Sequence, residues 1–133
     1  EDSWDWGSCA LSWMTCFNDE EAALRCLQKA DLLASNSYEW GALAAAWVEC
    51  LNDRGKALVC LRIAEATADD SGQWMELSRV WIHCLDDRAN ARRCAEKAEK
   101  AVETPHDWGG CAIAWDVLGD KVRADRCRQR AKE

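Results

Sequence analysis

The sequence predicts an all-α solenoid of four 34-residue antiparallel helix-turn-helix repeats, and three observations carry the prediction. Tryptophan lies on a grid. Trp6, Trp40, Trp74 and Trp108 are 34 residues apart, and Trp13, Trp47, Trp81 and Trp115 follow them by seven, so the grid takes eight of the nine tryptophans. A fixed period of roughly 20 to 50 residues marks a stacked repeat array. Apolar and small residues recur at steps of three and four after each first tryptophan, the spacing of one helix face. Short polar pairs then divide each repeat in two: Asn18-Asp19, Asn52-Asp53, Asp86-Asp87 and Gly119-Asp120.

The repeats run over 3–36, 37–70, 71–104 and 105–133 within one domain, 1–133. In the first, Trp6, Cys9, Ala10, Trp13 and Cys16 line one helix, and Ala23, Cys26, Leu27 and Ala30 line its partner. The second repeats this with Trp40, Leu43, Ala44, Trp47 and Cys50, then Ala57, Cys60, Leu61 and Ala64. The third has Trp74, Leu77, Ser78, Trp81 and Cys84, then Ala91, Cys94, Ala95 and Ala98. The fourth has Trp108, Cys111, Ala112, Trp115 and Leu118, then Ala124, Cys127 and Ala131. Ser3, Ser37 and Ser71 stand three residues before a first tryptophan and are expected to cap those helices. Thr104 followed by Pro105 is expected to do so in the fourth repeat. The polar pairs are expected to turn the chain and cap the second helices.

Composition narrows the function classes. The net charge of −7 argues against nucleic acid as a partner. It is uneven: residues 1–87 carry 16 acidic and 6 basic side chains, net −10, and residues 88–133 carry 8 and 11, net +3. No apolar run approaches the roughly 18 residues a membrane span needs, so no membrane partner is expected. Glu1 opens an acidic stretch without a charged and apolar leader, and no signal peptide is expected. No phosphate loop, paired-carboxylate motif or Ser/His/Asp grouping is present. His83 adjoins Cys84, but neighbouring helical side chains diverge by about 100°, which does not make a nucleophile and base. Asp69-Asp70 and Asp86-Asp87 read as turns. No enzyme activity, cofactor or metal site is expected; no Cys-x2-Cys element exists.

The chain resembles the tetratricopeptide repeat family. The resemblance rests on the 34-residue helix pair, on Trp40, Leu43-Ala44, Trp47 and Trp74, Leu77-Ser78, Trp81, and on alanines seven apart: Ala23/Ala30, Ala57/Ala64, Ala91/Ala98 and Ala124/Ala131. It covers nearly the whole chain. It departs from the family in having Ala or Ser where glycine is usual, one extra residue in the turns of the first three repeats, a displaced Pro105, and cysteine in place of a bulky second-helix residue. The resemblance implies a right-handed superhelix and a peptide-binding groove on the concave face. If the tryptophans face the second helix, helical geometry places +1, +5 and +8, flanked by +2 and +9, on that opposite face. The resulting candidate peptide-binding residues are Leu11, Met14, Ala45, Val48, Glu49, Met75, Glu76, Arg79, Ile82, His83, Ile113 and Asp116. Arg79 is the only Lys or Arg among them, so a ligand held by a terminal carboxylate is disfavoured and an apolar segment is expected. Glycines on this face would let a partner backbone come close.

Three cysteine pairs share one spacing: Cys16/Cys26, Cys50/Cys60 and Cys84/Cys94. They are either small reduced core residues or three disulfides within the repeats, as cysteine-rich Sel1-like repeats form at a somewhat shorter spacing. Reduced thiols imply the cytoplasm, and bridges an extracytoplasmic site. Cys127 keeps its place without a partner, as a core residue would. The expected function is a non-catalytic scaffold that holds a protein or peptide ligand. The alternative is a structural module that self-associates end to end through its acidic and basic ends.

Overall fold

The computed structural model describes residues 2–133. The structure is 83% helical, with eight α-helices and no strand among the described residues. It divides into two compact units, Glu1–Thr67 and Ala68–Glu133. Unit 1 holds α1 (Ser3–Ser12), α2 (Glu20–Leu33), α3 (Ser37–Leu51) and α4 (Arg54–Thr67), with a π-helical turn, Trp13–Phe17, continuing α1. Unit 2 holds α5 (Ser71–Leu85), α6 (Arg88–Lys100), α7 (Pro105–Val117) and α8 (Lys121–Ala131). Among the described residues no helix is long and apolar enough to cross a membrane.

The packing plan is the same in both units. Each first helix pairs with the second helix that follows it: α1 with α2, α3 with α4, α5 with α6, α7 with α8. The first helix of the second pair then lies against both helices of the first, α3 on α1 and α2, α7 on α5 and α6. The alanines of the second helices make this closeness possible. Ala23, Ala30, Ala57, Ala64, Ala91, Ala98 and Ala124 are all buried.

The caps correct one expectation. Ser3, Ser37 and Ser71 are not N-caps; Asp2, Asn36 and Asp70 are, each accepting from the amide three residues on. The serines stand one position inside the helix, and all three are buried. Ser37 Oγ donates to Ala64 O at 2.9 Å, and Ser71 Oγ donates to Ala98 O at 2.9 Å. The serine therefore fastens the start of the first helix to the far end of its own partner. Ser78 makes a similar bond to Ala91 O at 2.8 Å, which explains a hydroxyl at a position where only a small side chain fits. Thr104 and Asp107 form the expected capping box, with Pro105 at the first helical position.

The extra residue of the first three repeats does not lengthen the turn, as expected, but the helix. In α3 and α5 it gives 15-residue helices against 13 in α7. In the first repeat it falls in the π turn, whose wider i→i+5 ladder absorbs one added residue. Each two-residue turn has its first residue in the left-handed region: Asn18 at φ 50°, Asn52 at φ 51° and Asp86 at φ 50°. Asn and Asp tolerate this region better than most side chains. In the fourth repeat Gly119 takes it at φ 82°. Asp19, Asp53, Asp87 and Asp120 then cap the second helices.

A polar clasp recurs in both units. In unit 1 the indole N–H of Trp47 donates to Asp31 Oδ1 at 3.2 Å, Lys56 pairs with Asp31 Oδ2 at 3.4 Å, and the Cys60 thiol lies 4.0 Å from Oδ1. In unit 2 the indole N–H of Trp115 donates to Glu99 Oε1 at 2.6 Å, and the Cys127 thiol donates to the same oxygen at 3.2 Å. The carboxylate comes from the preceding helix pair, so the clasp joins one pair to the next. Cations close the indole faces: Lys56 lies 5.1 Å from the Trp47 ring, and Arg92 and Arg123 lie 5.1 Å and 4.5 Å from the Trp115 ring. The first tryptophans are covered similarly, Trp6 by Lys29, Trp74 by Lys97 and Trp108 by Arg130.

Candidate functional site

Each unit opens a groove between its two first helices, on the face turned away from the second helices. In unit 1 the groove lies between α1 and α3, with a cavity of about 160 Å³. Trp4, Gly7, Ser8 and Leu11 form one wall, and Glu39, Ala42, Ala45, Ala46 and Glu49 form the other. In unit 2 it lies between α5 and α7, with about 250 Å³. Met75, Glu76, Arg79, Ile82 and His83 face Gly110, Ile113, Ala114 and Val117 across it.

Of the residues expected on this face, Leu11, Ala45 and Glu49 meet in the unit 1 groove, and Met75, Glu76, Arg79, Ile82, His83 and Ile113 meet in the unit 2 groove. Three stand elsewhere. Met14 falls in the π turn and Val48 is half-buried, and neither lines the cavity. Asp116 is drawn to α8, where Arg128 Nη1 pairs with it at 2.6 Å; a long cation on the neighbouring helix overrides the helical wheel. Trp4 and Glu39 line the unit 1 groove and were not expected there. Trp4 is off the 34-residue grid, and its position in the first turn of α1, on the side of Ser8 and Leu11, was the available signal.

Charge is arranged differently in the two grooves. In unit 2 Arg79 pairs with Glu76 one turn away, and this neutralises both within the wall. In unit 1 Glu39 accepts from the Ser35 amide at 2.8 Å, which fixes it at the helix start. Glu49 is exposed and has no hydrogen bond or salt bridge among the described residues. Gly110 is not open to a partner backbone, because the Met75 thioether lies over it where a Cβ would stand, 2.5 Å away. Gly7 and Gly109 have nothing within 4 Å of that position.

The structure contains no disulfide among the nine cysteines. The second-helix thiols have other neighbours. Cys26 hydrogen-bonds with Cys9 rather than Cys16, which is exposed on the π turn. Cys60 is turned toward Asp31 rather than Cys50. Burial and, next, the Asp31 charge push the Cys60 thiol up to about 12. Burial and the Glu99 contact push Cys127 up to about 12 as well. Burial pushes Cys111 and Cys26 up to about 11. The thiolate is the nucleophile and the metal ligand, so these side chains pack as small apolar groups near neutral pH. Among the described residues no cluster of three or more His, Cys, Asp or Glu is placed to hold a metal ion.

No protein-family model, no curated protein and no solved structure matches the chain.

Proposed function

We propose that the chain is a non-catalytic interaction scaffold, a right-handed α-solenoid of four tetratricopeptide-like repeats that holds an apolar peptide or partner helix along its first-helix face. One observation carries this reading: the same face of both units opens a groove and leaves large apolar side chains on its lip. Trp4 and Leu11 are exposed at the unit 1 groove, and Ile113, 66% exposed, and Val117 at the unit 2 groove. A surface that serves no partner rarely gathers such side chains around a concavity.

The test is selection from a displayed random-peptide library, followed by anisotropy titration of the enriched peptides. Leu11→Glu and Ile113→Glu alter side chains that stand in solvent, so the fold is expected to survive, as an unchanged circular dichroism spectrum would show. One or both should weaken binding at least tenfold. Peptides that bind both folded variants as well as the parent protein would sink the reading.

End-to-end self-association is the second reading, and α8 favours it. Residues 121–133 carry six cations, Lys121, Arg123, Arg126, Arg128, Arg130 and Lys132, against two acids, Asp125 and Glu133, while residues 1–87 carry the net −10. The clasp register opposes it. The carboxylate follows the second-helix cysteine by five residues at Asp31 and Glu99, but Lys132 stands five after Cys127. A tryptophan stacked there in the same way would meet an ammonium group. Light scattering at low and high salt distinguishes the two, because stacking by opposite charge weakens as ionic strength rises.

A further inference from the structure

We propose that the unit 1 groove selects a segment that carries a lysine or arginine beside its apolar side chains; this rests on the groove reading above and adds the charge of the partner. The walls of this groove belong to helices without a single cation. Residues 3–17 and 37–51 contain no Lys, Arg or His, and their charges are Asp5, Glu39 and Glu49. The cations of unit 1, Arg25, Lys29, Arg54, Lys56 and Arg62, all lie on α2 and α4. Two of the three acids are already engaged within the protein: Asp5 closes the capping box with Asp2, and Glu39 holds Ser35. Glu49 is the carboxylate left for a partner. It stands at the groove wall with Leu11 and Ala45. Trp4, 51% exposed, adds an aromatic surface in the same groove on which a cation or an aliphatic chain can lie.

The occupant is therefore apolar where it meets Leu11 and Ala45 and positive where it meets Glu49. The unit 2 groove does not share this preference, since Arg79 and Glu76 neutralise each other there. A second copy of the chain is a poor fit. Its cation-rich helix, α8, exposes one large apolar side chain, Val122, and buries Ala124 and Cys127 against its own unit.

The experiment uses the whole chain and three labelled probes: an amide-capped helical peptide with three leucines on one face and two flanking arginines, a twin with citrulline for arginine, and a twin with glutamate. The arginine peptide should bind roughly tenfold more tightly than the citrulline twin, the combined effect of one exposed ion pair and one cation–π contact. Glu49→Gln should remove the ion-pair share of that difference, weakening the arginine peptide roughly threefold, and leave the citrulline twin unchanged. Equal binding of all three peptides, abolished by Leu11→Glu, would overturn the charge preference and leave the groove standing. Failure of every probe to bind would overturn the groove in unit 1 and the preference with it. Binding of the arginine peptide that Glu49→Gln does not alter, but salt removes, would reduce the effect to attraction by the net charge and overturn the proposal. So would a doubled mass in sedimentation that the arginine peptide reverses, because a second copy would then be the occupant.

Discussion

In unit 2 both second-position tryptophans, Trp81 and Trp115, are buried; in unit 1 Trp47 is buried and Trp13 is only half-buried. Trp13 and Trp81 open the last turn of helices of the same length from the same register, Ser3–Phe17 and Ser71–Leu85. Their sequences there are alike, WMTCF against WIHCL. The backbone differs. Over Trp13–Phe17 it is a π turn, and at the matching residues of unit 2 it remains α-helix. The consequence is large at one position: Phe17 is 70% exposed and lies tilted against Trp13, ring centres 5.3 Å apart, while Leu85, its counterpart, is 4% exposed. A sequence grid chooses which side chain is offered to the core. The local ladder decides whether it arrives.

The largest test of this difference is truncation of each indole. Trp47→Ala and Trp115→Ala remove fully buried rings that are also clasped by a carboxylate, and each is expected to cost about 3–5 kcal/mol. Trp13→Ala removes a half-buried ring and is expected to cost about 1–2 kcal/mol, in proportion to the smaller apolar area lost. Denaturant unfolding of the three variants measures this. Equal costs would mean that the π turn packs as firmly as the α-helical repeats, and the comparison would fail.

A second difference lies within unit 2. Trp115 gives its indole N–H to Glu99, whereas the indole N–H of Trp81 is buried without a hydrogen-bond partner. An unmet buried donor is a standing cost of about 1–3 kcal/mol. Phenylalanine keeps much of the ring and deletes the donor. Trp115→Phe should therefore destabilise by about 1–3 kcal/mol more than Trp81→Phe, read as the difference in unfolding free energy. If Trp81→Phe proved the more damaging change, its N–H would be engaged in solution and the contrast between the two sites would vanish.

How much of this was legible beforehand depends on the range of the interaction. Helix faces, polar turns and the alanine contacts are local or periodic; the turns fall at the polar pairs and the paired alanines from Ala23 to Ala124 are buried, while Cys16 is left exposed on the π turn. The caps were misplaced because Asn36-Ser37 and Asp70-Ser71 each offer two good capping residues in a row. What separates them is the bond from the serine to Ala64 or Ala98, 27 residues away, which no local preference records. The clasp had a readable signal, an acid five residues after the second-helix cysteine, but its meaning needed the neighbouring helix pair in place. In the grooves, the helical wheel found Leu11, Ala45, Ile82 and Ile113 and failed at Asp116, where the reach of Arg128 decided the outcome. The π turn had no signal at all in residue type.

The smallest effect separates the turns of the two units. Asn52 and Gly119 hold the same left-handed position, one with a side chain and one without. A Cβ on Gly119 would meet Arg88 Nη2 at 3.6 Å, an ordinary contact, so space is not the obstacle there. The obstacle is the backbone, which costs an alanine about 1 kcal/mol in this region. Asparagine escapes much of that cost by bonding locally. Gly119→Ala should therefore lower stability by about 1 kcal/mol, with Gly119→Asn and Asn52→Gly each within about 0.5 kcal/mol of the parent protein. Thermal unfolding of the three variants orders them. A Gly119→Ala protein as stable as the Gly119→Asn protein would show that the fourth turn, which follows a shorter first helix, relaxes out of the left-handed region, and that its glycine answers to helix length rather than to conformation.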